Sequence, residues 1–352
     1  MRQPQIDWGA LNIDALLITR AENIRYLSGF TGSNGLLLLL RKAEPVFFTD
    51  PRYEIQSHQE VACRIEIVRA GGLPAGAAAM IRKRRLKRVG FERTHVTYEQ
   101  HRYLEDNTGS ARLLPVGPLI EQQRMVKTAA EIDAIRTSVN TNSAAFARTI
   151  KKIRLGITEN DIAAEIEYQM RRLGAEKPAF ETIVATGPRT ALPHAHPTLR
   201  KLGNNELLLI DVGSFQAGYA SDMTRMLVLG RVPARIGALY RSVLEAQLAA
   251  LDAVREGVTA EQVDRAARDV LAAHGLDKYF THSTGHGLGL EIHEPPRLGK
   301  RDQTRLQAGM AITIEPGVYL ENLGGIRIED TVIVTPQGCE ILTPTSKELV
   351  KL

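Results

Sequence analysis

Residues 207–225 read LLLIDVGSFQAGYASDMTR, and the two acids in that stretch decide how the rest of the chain is read. The apolar run Leu207-Leu208-Leu209-Ile210 predicts a buried strand that delivers Asp211 to its end. Gly213 and Gly218 supply turn residues before the chain returns through Asp222. The same device recurs in AITIEPGVYLENLGGIRIEDTVIVT, residues 311–335. There Ala311-Ile312-Thr313-Ile314 delivers Glu315, and after Gly317, Gly324 and Gly325 the chain returns through Glu329. Any one of these acids, taken alone, reads as a turn or cap residue. Four of them converging on one cleft would repel one another, and the usual remedy is a multivalent cation. A site for two metal ions is the leading inference.

An internal repeat surrounds the two acid pairs. GITENDIAAEIEYQMRRLGA, from Gly156, aligns with GVTAEQVDRAARDVLAAHGL, from Gly257, so that Thr158 meets Thr259, Ile162 meets Val263 and Gly174 meets Gly275. Each copy opens on a capping box, Thr158 with Asp161 and Thr259 with Gln262, and closes on a glycine suited to a helix C-cap. The offset between copies grows from 101 (Gly156 to Gly257) through 104 (Asp211 to Glu315) to 107 (Asp222 to Glu329), as loop insertions would make it. Two related α+β halves across a pseudo-twofold axis are expected, each giving one acid pair to a site at their junction.

Histidines gather near the acids. FTHSTGHGLGLEIHEPP places His282, His286 and His293 among Gly285, Gly287 and Gly289, where backbone can approach closely. His194 and His196 sit in ALPHAHPT ahead of Asp211, and one of the two is expected to be functional. A mostly oxygen ligand set with one imidazole suits Mn(II), with Co(II) or Zn(II) as alternatives. Two such ions about 3.5 to 4 Å apart would share a water, bring its pKa to roughly 7 and aim it at a carbonyl. Arg327 and Glu329, two apart on a strand, project from one face, which would let Arg327 orient that carboxylate or reach a substrate carboxylate or carbonyl.

Composition leaves the partner open. The 352 residues carry 45 basic and 40 acidic side chains, a net charge of +5 that implies no polyanionic partner, and length allows about two domains. The basic cluster Arg82, Lys83, Arg84, Arg85, Lys87 and Arg88 lacks interleaved aromatics for base stacking and reads as a solvated helix face, so no nucleic acid is expected. The N-terminal residues lack a signal-peptide pattern, and apolar runs such as Leu36–Leu40 fall far short of the roughly 20 residues that span a bilayer. A cytoplasmic protein with no membrane partner is expected, with Cys63 and Cys339 as buried free thiols. Residues 14–120 alternate short apolar strands (DALLIT, GLLLLL, PVFFTD, RIEIV, RVGFE) with polar or helical segments, which suggests an open α/β sheet. His58, His95 and His101 read there as structural or surface residues. Pro115, Gly117 and Pro118 punctuate a linker, so domains of 1–120 and 121–352 are expected.

Taken together these motifs identify a resemblance. YLSGFTGSNG, FFTDPRYEIQ, ALPHAHPT, DVGSFQAGYASDMTR, HSTGHGLGLEIHEPP, EPGVYL and GGIRIEDTVIVT, in this order over nearly the whole chain, resemble the Xaa-Pro peptidases of the methionine aminopeptidase, prolidase and creatinase superfamily. The resemblance implies a creatinase-like α/β domain followed by an α+β pita-bread catalytic domain. It implies metal ligands at Asp211, Asp222, His286, Glu315 and Glu329, with Asp222 and Glu329 bridging and Glu315 handling the proton of the attacking water. It places His194 and His293 on the substrate carbonyl and its oxyanion, and His282 and Arg327 around the proline subsite, leaving His196 structural. TGPRTALP before His194 departs from the small, Asn-containing segment of relatives, so Arg189 is expected to tune the pocket ahead of proline. The implied activity is an aminopeptidase P acting on short peptides with proline second, as a homodimer, with an Xaa-Pro dipeptidase (prolidase) as the alternative. A noncatalytic binding relative and a metal-free creatinase are disfavoured because all five ligand positions are filled. The first domain is expected to wall the cleft and build the dimer interface.

Overall fold

A computed structural model describes residues 1–352. The chain divides into two compact units, Met1–Arg124 and Met125–Leu352. Residue 120, where the division was expected, lies inside the short helix Leu119–Arg124. Asn23 donates to Glu121 (3.0 Å) and accepts from Arg124 (2.8 Å), so this helix belongs to the first unit and closes it.

The first unit is built on a mixed six-stranded sheet in the order Arg64–Ile67, Val46–Thr49, Gly35–Leu40, Ala15–Ile18, Arg88–Glu92 and Arg112–Val116. Gly35–Leu40 runs antiparallel to both its neighbours, and the remaining pairs are parallel. Five of these strands are the apolar runs read from the sequence. The sixth, RLLPV, is not among those runs and takes in Pro115, which was expected to punctuate a linker; it is an edge strand, where Pro115 has no ladder hydrogen bond to forfeit on its open side. The basic cluster straddles the end of the helix Gly72–Lys83, with Arg82 and Lys83 in its last turn and Arg85 and Lys87 beyond it, all four exposed. Cys63 and Cys339 are free but half-buried rather than buried, and burial pushes the Cys63 thiol up to about 11.

In the second unit both capping boxes form. Thr158 accepts from the Asp161 amide (3.0 Å) and donates its own amide to that carboxylate (3.1 Å); Thr259 and Gln262 do the same at 3.3 and 2.9 Å. The helices they start, Glu159–Arg172 and Ala260–Ala273, are followed by Gly174 and Gly275 at φ 100° and 68°, a left-handed conformation that favours glycine. Ile162, Ile166 and Met170 recur every four residues and pack on Leu208, Ile210, Met223 and Leu227. Val263, Ala267 and Leu271 repeat that spacing and pack with Ile312, Ile314, Val332 and Val334. Each fully buried Leu or Ile contributes about 1.5–3 kcal/mol, so every helix is held by its apolar stripe rather than by propensity.

Each half carries its own sheet. The first orders Val350–Lys351, Met223–Leu229, Glu206–Val212 and Ile183–Thr186; the second orders Glu294–Leu298, Gly285–Gly287, Ala311–Ile314, Asp330–Val334 and Cys339–Ile341. Glycines let the backbone close up where the acids emerge. A β-carbon on Gly213 would lie 2.1 Å from the Ser221 carbonyl oxygen, and one on Gly285 would lie 1.9 Å from that of Thr313. No helix is long and apolar enough to cross a membrane.

Candidate metal centre

The two hairpins deliver their acids to one place. Asp211 pairs with Thr224 across the first hairpin, and Asp222 immediately precedes its return strand. In the second, Ile314 pairs with Asp330, so Glu315 and Glu329 stand opposite each other one step beyond the ladder. His286 enters from the neighbouring strand Gly285–Gly287. Its Nδ1 lies 3.0 Å from the Gly287 carbonyl oxygen, which can only accept, and its Nε2 is turned toward Asp222 (3.5 Å) and Glu315 (3.4 Å). Ligand atoms of Asp222, His286 and Glu329 all lie within 4.8 Å of one another.

Electrostatics and unmet hydrogen bonding both fit cations at this position. Burial and the neighbouring Asp211 and Glu315 carboxylates push Asp222 well above its ordinary range. Glu329 is raised in the same way by burial, Asp222 and Glu315, and Glu315 by burial with Asp211 adding to it. Asp211 Oδ1 and Asp222 Oδ1 are buried with no hydrogen-bond donor. Buried carboxylate oxygens without donors are costly unless a cation takes them, and four hard carboxylates with one imidazole suit divalent ions.

Arg327 reaches the acids by a different route from the one expected. The strand Gly324–Arg327 ends there, and the chain changes sheet before Asp330, so Arg327 does not bond Glu329. Its Nη2 instead donates to Asp211 Oδ2 (2.5 Å) and its Nε to Thr224 Oγ1 (3.1 Å), while Thr224 donates to Glu329 Oε2 (2.7 Å). Burial disfavours this guanidinium, but Tyr319 and the Asp211 and Glu315 carboxylates outweigh it and hold its charge firmly. Arg327 Nη1 also donates to the Tyr319 hydroxyl (2.6 Å), which lies 2.9 Å from His282 Nε2. Thr224, Tyr319 and Thr313, whose hydroxyl donates to Glu315 (3.2 Å), went unnoticed in the sequence. The only signal was their place inside the quoted motifs.

The other histidines divide as follows. His293 packs edge-on against His286 with ring centroids 4.5 Å apart, and burial with that neighbour lowers its pKa. His194 is exposed in the segment after Thr190, close enough to His282 and His293 to depress both. His196 points elsewhere, 2.9 Å from Glu181 on the surface. His282 is held by the Ser283 carbonyl (2.8 Å) and by Tyr319, and burial followed by Arg327 lowers its pKa to about 4.

That shift gives a stability prediction. An unfolded histidine binds a proton below about pH 6.5, whereas His282 in the fold stays neutral down to about 4. Its contribution is complete above pH 6.5 and drains away as the pH falls toward 4, by up to about 3 kcal/mol. Urea denaturation of the protein and of His282→Asn should therefore show a stability gap that narrows by this amount on acidification. Parallel pH curves would contradict the assignment.

Residues 133–336 match the model of metallopeptidase family M24, and residues 8–126 match the creatinase/prolidase N-terminal domain. The chain belongs to metallopeptidase family M24, whose members use divalent metals, and it consists of a creatinase-like N-terminal domain followed in sequence by a domain of pita-bread architecture. It is 35% identical over 340 residues to an Xaa-Pro dipeptidase of Pyrococcus horikoshii, covering 96% of this chain and 95% of the other. An Xaa-Pro dipeptidase from Bacillus anthracis superposes with a TM-score of 0.95 at 36% identity, covering 98% of this chain and 97% of that one. An X-Pro aminopeptidase from Thermotoga maritima superposes at 0.91 and 35%, covering 97% and 99%.

Proposed function

We propose that the chain is an Xaa-Pro dipeptidase that takes Asp211, Asp222, His286, Glu315 and Glu329 as ligands to two divalent ions. The observation that carries this is similarity along both units, at 35–36% identity, to proteins described as Xaa-Pro dipeptidases. That weight moves the reading from the expected aminopeptidase P to its alternative. Mn(II) is the proposed metal, because oxygen donors dominate the set. Two free cysteines in separate units suit a reducing compartment such as the cytoplasm. A homodimer belongs to the proposal on the family resemblance.

The bound ions would supply an acidified water and polarise the scissile carbonyl. Glu315, raised by burial, takes the proton of the attacking water and returns it to the prolyl nitrogen as the C–N bond breaks and the new C–O bond remains. His293 and His194 donate to the carbonyl oxygen as it gains charge. Neutral His282, with Tyr319 and Arg327 behind it, lines the side that receives the proline ring.

A second reading, aminopeptidase P, is favoured by one feature. A cavity of about 900 Å³ opens beside His282, lined by Lys278, Arg297, Lys300 and Arg301 with Asp277 and Asp302 among them, with room for residues beyond proline. Its cations suit the free carboxylate of a dipeptide equally well, so chain length rather than charge separates the readings. Metal-stripped protein restored with Mn(II) should hydrolyse Xaa-Pro and leave Xaa-Pro-Xaa intact. Metal-dependent cleavage of the tripeptide would establish the aminopeptidase, and inactivity on both with metal bound would leave a binding protein.

A further inference from the structure

Glu159, the first residue of the helix Glu159–Arg172, is fully buried although it is an acid at a helix start, where a carboxylate would ordinarily face water. Both ends of a distant loop converge on it. Oε1 accepts from the Thr186 amide (2.8 Å) and hydroxyl (2.9 Å), and Oε2 from the Thr198 amide (3.0 Å) and hydroxyl (2.6 Å). Arg189 Nε lies 3.2 and 3.1 Å from the two oxygens, and its Nη2 donates to the His196 carbonyl oxygen (2.7 Å). The loop's far side is tied down as well: the Gly325 amide donates to Thr190 Oγ1 (2.9 Å), and Arg327 donates to the Pro193 carbonyl oxygen (3.2 Å). His194 sits between these anchors with an exposed ring.

We propose that Glu159 is a positioning residue for His194, and that Arg189 carries its hold to the backbone two residues beyond that histidine. The proposal rests on the Xaa-Pro peptidase reading for what His194 does, but not for how the loop is held. A buried carboxylate whose donors are all supplied by one loop is stiff, because releasing any donor leaves a desolvated charge unmet. Such stiffness matters where a loop must aim a side chain, since a displacement of about 1 Å can cost about 100-fold in rate. Arg189, the departure noted ahead of His194, thereby neutralises Glu159 and grips the loop rather than facing the substrate.

The test is a double-mutant cycle on the metal-loaded enzyme. Glu159→Gln keeps the size but turns an NH2 group toward donors, and should lower kcat for Xaa-Pro by about 10- to 100-fold with KM and metal content little changed. In a His194→Ala background the same substitution should add nothing, because its effect runs through that histidine. An equal loss in both backgrounds would overturn the proposal, since it would mark a general structural role. Thr198→Val, which removes one donor and keeps the amide, takes the same cycle should Glu159→Gln fail to fold. Hydrogen–deuterium exchange gives a readout independent of activity. Amides of residues 186–198 should exchange faster in either variant while those of 206–229 do not, and unchanged exchange would overturn the proposal. Absence of Xaa-Pro hydrolysis by the unaltered protein would sink the peptidase reading instead, and the exchange result would still decide the loop.

Discussion

Glu315→Gln is expected to lower kcat for Xaa-Pro hydrolysis by about 1,000-fold or more, the range set by a lost general acid–base group together with a lost carboxylate ligand. The glutamine keeps the volume and can still accept from Thr313, which holds the native carboxylate at 3.2 Å. It cannot take a proton from the attacking water, and it cannot repel Asp211, whose charge now helps to raise Glu315. Asp211, Asp222, His286 and Glu329 remain, so metal content at saturating Mn(II), measured by elemental analysis, should stay near that of the unaltered protein. A thousandfold loss corresponds to about 4 kcal/mol of transition-state stabilisation. Hydrolysis at the native rate with metal bound would remove Glu315 from the chemistry and return the chain to a binding role.

What was legible in the sequence was what local chemistry encodes. Thr158, Asp161, Thr259 and Gln262 form their capping boxes because the reciprocal bonds span only three residues. The acid-bearing hairpins followed from apolar runs ended by glycines, and their strand registers place Asp211 and Glu315 where the sequence suggested. What escaped depends on approach between segments far apart in the chain. Glu159 reads as an ordinary helix-start acid, and only the return of Thr186 and Thr198 turns it into a buried anchor. Two-residue spacing put Arg327 beside Glu329, but the change of sheet sends its guanidinium to Asp211 and leaves Thr224 to reach Glu329. The strand RLLPV escaped because Pro115 reads as punctuation in the sequence, whereas at a sheet edge a proline is tolerated.

Asp330→Ala should destabilise the second unit by about 3–5 kcal/mol, the cost of leaving a buried charge without its partner. Asp330 and Arg225 are both almost fully buried, with Arg225 Nη2 2.7 Å from Asp330 Oδ1. The other carboxylate oxygen takes Lys347 Nζ (2.6 Å) and Gln247 Nε2 (2.9 Å). Without it, Arg225 keeps only carbonyl partners, on Thr224, Glu329, Thr345 and Ser346, and those cannot neutralise a desolvated guanidinium. The effect should reach the metal centre, because the same guanidinium holds the carbonyl of Glu329 and the backbone of Thr224. It should also free the chain's last residues: Lys347 loses its anchor just before Val350–Lys351 adds to the strand Met223–Leu229. Urea denaturation of the metal-free protein would measure the loss, and limited proteolysis should clip the variant near residue 346 first. Replacing Arg225 and Asp330 together by leucine should recover much of the stability, since an apolar pair needs no counter-charge. It should not recover metal affinity, because nothing would then hold the Glu329 carbonyl. A single substitution costing under about 1 kcal/mol would show that water reaches Arg225 and that the pair does not brace Glu329.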